Sequence, residues 1–516
     1  MLNRFFGNNF HTHLHIFGLC CVAAGVPFNK IMMSLAMMLI VVNLFIEGEF
    51  KLYFQHLKSN KIYLLVLGFF LLHVIALLWT SNFDFALHDL KVKLPLLVIP
   101  TIIAAKPITK TNYINLILAS ILLSTVTLSL INFFSYHTFF SGETQFNFRE
   151  MSLFTSHIRF GIIISLVVGI ALHFIRKSTG NKLAFILVII WLTFYTIYSQ
   201  VISGWISLLL VFSIYGIYVL RRKYKWILLT SFGLFSVLFI FLLSWLFSPV
   251  IINKDNYADI EKYTAEGNQY SHVFGVVDPE TEKPIHLYVC SKELKREWPK
   301  RSNFPIDSLD NKGQSIYETL IRFLASKNVK KDAVGLSRLS HDEIIGIENG
   351  VTSAVMNGVM ERLYGIKYQL INKSNPNNHS LLQRLEYWKT ALEIANKNIL
   401  IGVGTGDVQD AFNSQYERNE SLLNLDKRRR AHNYYLTVQI TFGIVGLLYF
   451  LLLLFNFVRF NYRENQMIGV IFILIIIVSF FLEDTIETQT GVTFFGLFYG
   501  LFSFKHPSNN DIKLEL

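Results

Sequence analysis

Charge is what this chain has least of. Only 16% of its 516 residues are Asp, Glu, Lys or Arg, against about a quarter in an ordinary soluble domain. That is too few to cover a water-facing surface of this size. With 52% hydrophobic and 15% aromatic residues, 46 Phe among them, the composition excludes a disordered chain, a coiled coil and a secreted disulfide scaffold. Cysteine is scarce as well. Cys20 and Cys21 are adjacent in an apolar segment and Cys290 stands alone, so neither a disulfide framework nor a metal-ligand spacing is present. No internal repeat and no low-complexity stretch appears. No small-residue cleavage site follows the first apolar run, which is expected to be a retained span. What remains is a polytopic membrane protein with a mean hydropathy of +0.41. The net charge of +11 is explained by basic loops on one membrane side, and no nucleic-acid partner is expected.

A span needs about 20 mostly apolar residues, and about 17 suffice. Twelve such segments are expected near 13–29, 31–47, 61–80, 90–105, 113–134, 155–175, 182–199, 203–220, 225–249, 433–458, 465–482 and 490–505. The chain thus divides into an N-terminal bundle of nine spans (1–249), a polar insert (250–432), three further spans (433–505) and a short tail (506–516). Lys and Arg alternate between the short loops. One side holds Lys51, Lys58, Lys61, Lys106, Lys110, Arg176, Lys177, Lys182, Arg221 to Lys223, Lys225, Arg459 and Arg463. The other holds Lys30, Lys91, Lys93 and Arg149, with acids such as Glu143, Glu483, Asp484 and Glu487. The positive-inside rule then puts both termini in the cytoplasm and the insert outside.

The insert is long enough for a core of its own. Its first part, 250–372, mixes extended runs such as His286 to Val289 with helical ones such as Ser315 to Ser326, so a mixed α/β fold is expected. The second part is more helical. Leu381, Leu385, Trp388, Leu392 and Ala395 fall on one stripe of an amphipathic helix.

Several residues invite chemistry. The insert ends in Lys427-Arg-Arg-Arg430-Ala-His432-Asn433-Tyr-Tyr-Leu436, directly before an apolar run. A histidine at the mouth of a helix bundle, kept neutral by cations around it, can accept a proton; an interfacial anchor is the other reading. Arg384, one turn before Trp388, carries a planar fork suited to phosphate oxygens, or simply lays its stem over the indole. Arg159, at the outer end of a span, either lines a cavity with a partner or snorkels to the interface. Arg428 to Arg430 suit headgroup phosphates. Gly402, Gly404 and Gly406 lack a surrounding βαβ unit and a following Lys-Ser or Lys-Thr, so a tight turn accounts for them better than a nucleotide loop. Glu483, Asp484 and Glu487 are positioned to pair with the arginines across the mouth or to be solvated.

Arg384-Leu-Glu-Tyr-Trp388, Asn398-Ile-Leu-Ile-Gly-Val-Gly-Thr-Gly406, His432-Asn-Tyr-Tyr-Leu436 and Phe442-Gly-Ile-Val-Gly446, in that order, resemble the O-antigen ligase family, which includes O-antigen polymerases. Asp89 to Pro100, Ser156 to Phe160 and Glu483 to Gly491 are similar too. The resemblance is clearest over 380–446 and elsewhere lies in the architecture. It implies an all-α polytopic fold like that of C-type glycosyltransferases, and a metal-independent transferase without cofactor. Such an enzyme moves a glycan from undecaprenyl diphosphate to an acceptor hydroxyl, in the ligases a sugar of the lipid A core, at the periplasmic face of the inner membrane. By this resemblance His432 is the general base or positioner, with Arg384 on the diphosphate; Trp388 and Asn433 join the substrate-binding set. The family's Ser-Arg motif after the seventh or eighth span is replaced here by Ser199-Gln-Val-Ile-Ser-Gly-Trp205, without a cation. Arg159, or Arg430 within the arginine run, then becomes the expected second phosphate contact. Polymerisation of lipid-linked repeats and transfer to protein hydroxyls share these features. A transporter or flippase would need paired halves and broken spans that the sequence does not show.

Overall fold

A computed structural model describes residues 9–108, 110–139, 151–177, 182–220, 260–311, 313–354, 359–372, 376–378 and 380–503, with scattered positions between 230 and 248. The span expected at 225–249 lies largely outside the described residues; Glu143, Arg149, the loop cations within 221–225 and the tail 506–516 lie wholly outside them.

The chain opens with two helices, α1 (Phe10–Phe28) and α2 (Lys30–Glu47). Asn29 turns between them and caps α2 by accepting from Ile31 N at 2.8 Å. Then follow α3 (Phe50–Ser59), α4 (Lys61–Ile75, extended by a 3-10 turn to Trp79), α5 (Phe83–Ala105), α6 (Thr111–Phe139), α7 (His157–Lys177), α8 (Lys182–Tyr198) and α9 (Ile202–Leu220). The insert contributes α10 (Ser291–Glu297), α11 (Ile316–Ser326), α12 (Ala333–Ser337), α13 (His341–Glu348), α14 (Val359–Asn372), α15 (Ser380–Lys397) and α16 (Val408–Arg418). The chain returns to the bundle as α17 (Tyr434–Arg463), α18 (Met467–Leu482) and α19 (Gln489–Ser503).

Seven of the described helices are long and apolar enough to cross a membrane: α1, α2, α4 with its extension, α6, α7, α9 and α17. The protein is an all-helical integral membrane protein, but the expected twelve spans are not all of one kind. The segment expected at 90–105 is the larger, C-terminal part of α5, a helix that begins at Phe83 and carries Asp84, Asp89, Lys91 and Lys93. α8 and α18 are apolar but have 17 and 16 residues. α19 has 15, and from Thr490 to Ser503 every residue is buried. A helix apolar on all sides and enclosed by protein belongs to a core, and hydropathy alone does not distinguish it from a lipid-facing span.

The insert is helical rather than mixed. Among the described residues its extended runs form only isolated bridges, such as Ser271 with Val289 and Val289 with Lys331. Asp278-Pro279 and Lys283-Pro284 interrupt the chain every few residues, and a proline cannot donate to a ladder. The first part encloses its own core around Trp298, Leu294, Leu320 and Ile347. α11 begins at the expected Ser315, whose hydroxyl accepts from Glu318 N. The second part packs on the bundle through Tyr387, Ala391, Ile394, Phe412 and Tyr416, which share a core with Ile440 of α17. The apolar stripe expected on α15 is only in part its buried face: Ala395 is buried and Trp388 packs against the same core, but the leucines do not join them. Leu385 and Leu392 are 44% and 50% exposed, whereas Tyr387, Thr390, Ala391 and Ile394 are buried. The small Thr390 and Ala391 allow the close approach there that leucines would prevent.

α17 is broken at Gly443, where φ is 65° and ψ −163°. The break frees backbone groups inside the bundle, and the Gly-rich run supplies their partners. Ile444 N donates to Ile399 O at 2.7 Å, while Val403 N and Gly404 N donate to Ile440 O and Thr441 O at 2.8 and 3.0 Å. A side chain at Gly402 or Gly443 would strike the facing backbone. Gly402 and Gly404 also have positive φ. The same run reaches the α4–α5 turn, where Asp407 accepts from Ser81 N and Asn82 N at 2.8 and 2.7 Å and Thr405 donates to His73 O. The glycines are therefore a backbone clasp joining α17 to the start of α5.

Candidate functional site

Residues 427–432 lead into α17, and aromatic donors from α15 and α16 pin them through their carbonyls. Tyr387 hydroxyl donates to Lys427 O at 2.7 Å, Tyr416 hydroxyl to Arg429 O at 2.7 Å and Trp388 Nε1 to Ala431 O at 2.9 Å. With the carbonyls held on one side, the side chains of Arg428, Arg429, Arg430 and His432 are free to project elsewhere. Asn433 caps α17: its side-chain oxygen accepts from Tyr435 N at 3.1 Å and Leu436 N at 3.3 Å. His432 lies between these two fixed points with φ 48°, a left-handed conformation that is uncommon for any residue but glycine and is maintained only where the surroundings impose it.

Opposite lies the segment 482–487 between α18 and α19, on which cations from four elements converge. Arg384 Nη1 from α15 donates to Leu482 O at 2.7 Å. Arg159 Nη2 from α7 meets Glu483 Oε1 at 3.4 Å. Arg430 Nη1 pairs with Glu487 Oε2 at 3.0 Å and its guanidinium lies 4.8 Å from the centroid of the Phe85 ring. Lys93 from α5 pairs with Glu487 Oε1 at 2.9 Å and with Asp89 at 2.7 Å. Thr437 donates to Asp484 at 2.8 Å. Asp484 is held protonated up to about 7, chiefly by burial and also by the Glu487 charge. For Glu487 burial acts upward, but Lys93 and Arg430 outweigh it and bring it down to about 2. Glu483 and Glu487 are thus the counter-charges that hold Arg159 and Arg430 at the mouth.

His432 is partly buried, with its ring 5.9 Å from that of Tyr387. Burial is the main cause of its lowered pKa. Glu483 acts against that, and Arg384, Arg429 and Arg159 add to it. The imidazole is therefore neutral at pH 7 and able to accept a proton. Among the described residues none hydrogen-bonds to either ring nitrogen. Arg384 has one N–H on Leu482 O, out of the five a guanidinium carries. Arg159 Nε is buried without a partner. The close approach of Gly161 to Gly204, 3.1 Å from an added Cβ to the facing Cα, sets the Arg159 end of α7 against the cation-free 199–205 stretch.

Of the residues singled out from sequence, His432, Arg384 and Arg159 come together around Glu483. Arg430 instead pairs inward with Glu487. Trp388 and Asn433 face the chain's own backbone, one anchoring it and the other capping a helix. The three consecutive arginines divide: Arg428 Nε donates to Leu423 O at 3.2 Å, Arg429 is exposed and Arg430 turns inward. Lys93, expected in an outer loop, is instead buried on α5 and paired with Asp89; the signal for that pair is the i, i+4 spacing of opposite charges leading into an apolar helix.

Residues 344–451 match the family model described as O-antigen ligase. The match spans α15, the glycine clasp, the 427–432 segment and the break in α17, whereas Arg159, Lys93 and Glu487 lie outside it. No curated protein matches the chain.

Proposed function

We propose, from the match of residues 344–451 to the O-antigen ligase family model, that the protein transfers a glycan from undecaprenyl diphosphate to a hydroxyl of the lipid A core. The observation that carries this reading is the neutral, partly buried imidazole of His432 at the head of α17, with Arg384, Arg429 and Arg159 close enough to act on its charge. The acceptor hydroxyl attacks the anomeric carbon of the donor sugar, and His432 takes the hydroxyl proton. The bond from that carbon to the diphosphate oxygen breaks, and the diphosphate leaves with the electron pair. Arg384 and Arg159, with N–H donors to offer, stabilise the charge that develops there. A diphosphate needs no proton to leave, so one base suffices and no metal enters the scheme. Trp388, through Ala431 O, and Asn433, through the helix cap, position the base. Arg430 holds Glu487 and with it the floor of the site.

Two further features support a lipid-linked donor. Leu385, next to Arg384, and Leu392 are exposed on α15, and Ile399, Leu400 and Ile401 continue the exposed apolar row at 54–67% exposure. Such a row suits a bilayer interface and a polyprenyl tail. The alternation of loop cations supports an inner-membrane location with the His432 end periplasmic and both termini cytoplasmic.

The test is lipopolysaccharide electrophoresis, with extraction of lipid-linked glycan, from cells lacking the protein and complemented with wild type or His432→Ala. Bare lipid A core with long glycan retained on the lipid carrier is expected in both the null and the variant. Core bearing a single repeat unit would instead make the chain a polymerase. Unchanged lipopolysaccharide in the null would refute both.

A further inference from the structure

A roomy cavity lies not at His432 but at the other end of the bundle. It has a volume of about 440 Å³ and lies where the start of α6, the ends of α7, α9 and α19, and the α17–α18 turn meet. Its position follows from α17, whose stretch after the Gly443 break runs from Ile444 to Arg463, just before that turn; this is roughly 30 Å of helix. The cavity has two chemistries. Ile114, Leu118, Met467 and Phe502 form an apolar side, while Arg176 and Lys177 stand at its rim. Arg176 is held with its guanidinium carbon 4.5 Å from the centroid of the Tyr218 ring, which orders the cation in advance of any ligand. Both cations are exposed, neither makes an ion pair with a described residue, and no acidic residue is among those lining the cavity.

A cationic rim over an apolar pocket between membrane helices fits a molecule with an anionic head and a hydrocarbon tail. We propose that this cavity binds an anionic glycerophospholipid, its phosphate against Arg176 and Lys177 and the upper part of an acyl chain against Ile114 and Phe502. The volume falls in the range of specific small-molecule sites, and basic pockets between spanning helices are a recognised form of headgroup site. The proposal stands independently of the glycosyl transfer proposed above. On the charge alternation the cavity opens to the cytoplasmic leaflet, opposite the transfer site.

The test uses purified full-length protein in detergent, titrated with phosphatidylglycerol or phosphatidylethanolamine and read by native mass spectrometry. One phosphatidylglycerol per chain is expected to bind well ahead of phosphatidylethanolamine. The variant Arg176→Gln/Lys177→Gln is expected to bind phosphatidylglycerol about thirtyfold more weakly, the effect of removing two headgroup cations. Ile114→Trp, which fills the apolar side from a partly buried position, is expected to weaken it as well and keeps the test decisive if the double variant fails to fold. Equal binding of the two lipids, or phosphatidylglycerol affinity unchanged in a folded variant, overturns the proposal. So does protection from thermal unfolding by inorganic phosphate equal to that by the lipid, because a soluble anion would then be the ligand. None of these measurements depends on transfer activity, so failure here is distinguishable from failure of the ligase reading.

Discussion

Replacing Trp388 by Phe tests whether the geometry of His432 is imposed from α15. The change keeps an aromatic ring on the helix and removes one donor, the Nε1–H that meets Ala431 O at 2.9 Å. Ala431 is 0% exposed, so water cannot replace that donor, and an orphaned buried acceptor costs about 1–3 kcal/mol. The bond lost is the last fixed point before His432, whose φ of 48° itself costs on the order of 1–3 kcal/mol to maintain. Relaxing that turn moves the imbalance into the position of the imidazole, and a displacement near 1 Å in such a site costs roughly a hundredfold in rate. Trp388→Phe is therefore expected to lower kcat about ten- to a hundredfold, with the KM for lipid-linked donor little changed and the melting temperature down by only a few degrees. The assay is transfer by purified protein under saturating donor and acceptor, with thermal unfolding followed in parallel. A variant with wild-type kcat would refute the positioning role, and so would a loss of activity matching the loss of folded protein.

Arg384→Lys keeps the charge but not the fork; kcat/KM for the lipid-linked donor is expected to fall at least tenfold, on the order of one lost charge-assisted hydrogen bond, and steady-state kinetics will show it. Gly443→Ala is expected to prevent accumulation of folded protein, since φ is 65° there and the Ile399–Ile401 backbone fills the space of a Cβ; membrane yield and detergent-solution monodispersity measure this. Glu487→Gln leaves Lys93 and Arg430 short of their shared counter-charge and is expected to destabilise by roughly 3 kcal/mol, with strong non-additivity to Lys93→Met in a double-mutant cycle. The pH behaviour carries a sign. His432 has a lowered pKa, chiefly from burial, so below its unfolded value of about 6.5 the unfolded chain takes up a proton that the folded one refuses. Stability is expected to fall as pH drops from 6.5 toward the folded value, and His432→Gln should flatten that part of a stability-versus-pH curve.

Much of the fold and part of the site were legible in the sequence, and the remainder was hidden for identifiable reasons. Seven long apolar helices fall where hydropathy places them, because the pattern is long and strong. The expected count of twelve includes α19, because hydropathy registers how apolar that helix is but not that protein encloses it. The insert's His286 to Val289 run has strand composition, yet flanking prolines limit it to isolated bridges. On α15 the expected stripe reaches the core only through Trp388 and Ala395, while Leu385 and Leu392 are exposed and burial follows the small Thr390 and Ala391. At the mouth, the acid cluster beside the arginines signalled pairing, and Arg159–Glu483 and Arg430–Glu487 are pairs. The partners themselves depend on which helix ends meet, which linear spacing does not state. Trp388 and Asn433 looked like ligand contacts because aromatic and amide side chains serve both purposes; the hydrogen bonds to Ala431, Tyr435 and Leu436 show their structural use.

In the proposed transfer, His432 accepts the proton of the attacking hydroxyl. Single-turnover transfer from undecaprenyl diphosphate-linked glycan to lipid A core, by purified wild type and His432→Ala in chelator, measures it most directly. The expected result is wild-type transfer that survives the chelator. The variant should bind donor normally but transfer about 10²–10⁴-fold more slowly, the usual contribution of a general base. Wild-type transfer that stops in chelator and returns with a divalent ion would contradict the metal-free scheme, and a variant transferring at the wild-type rate would contradict the role of His432.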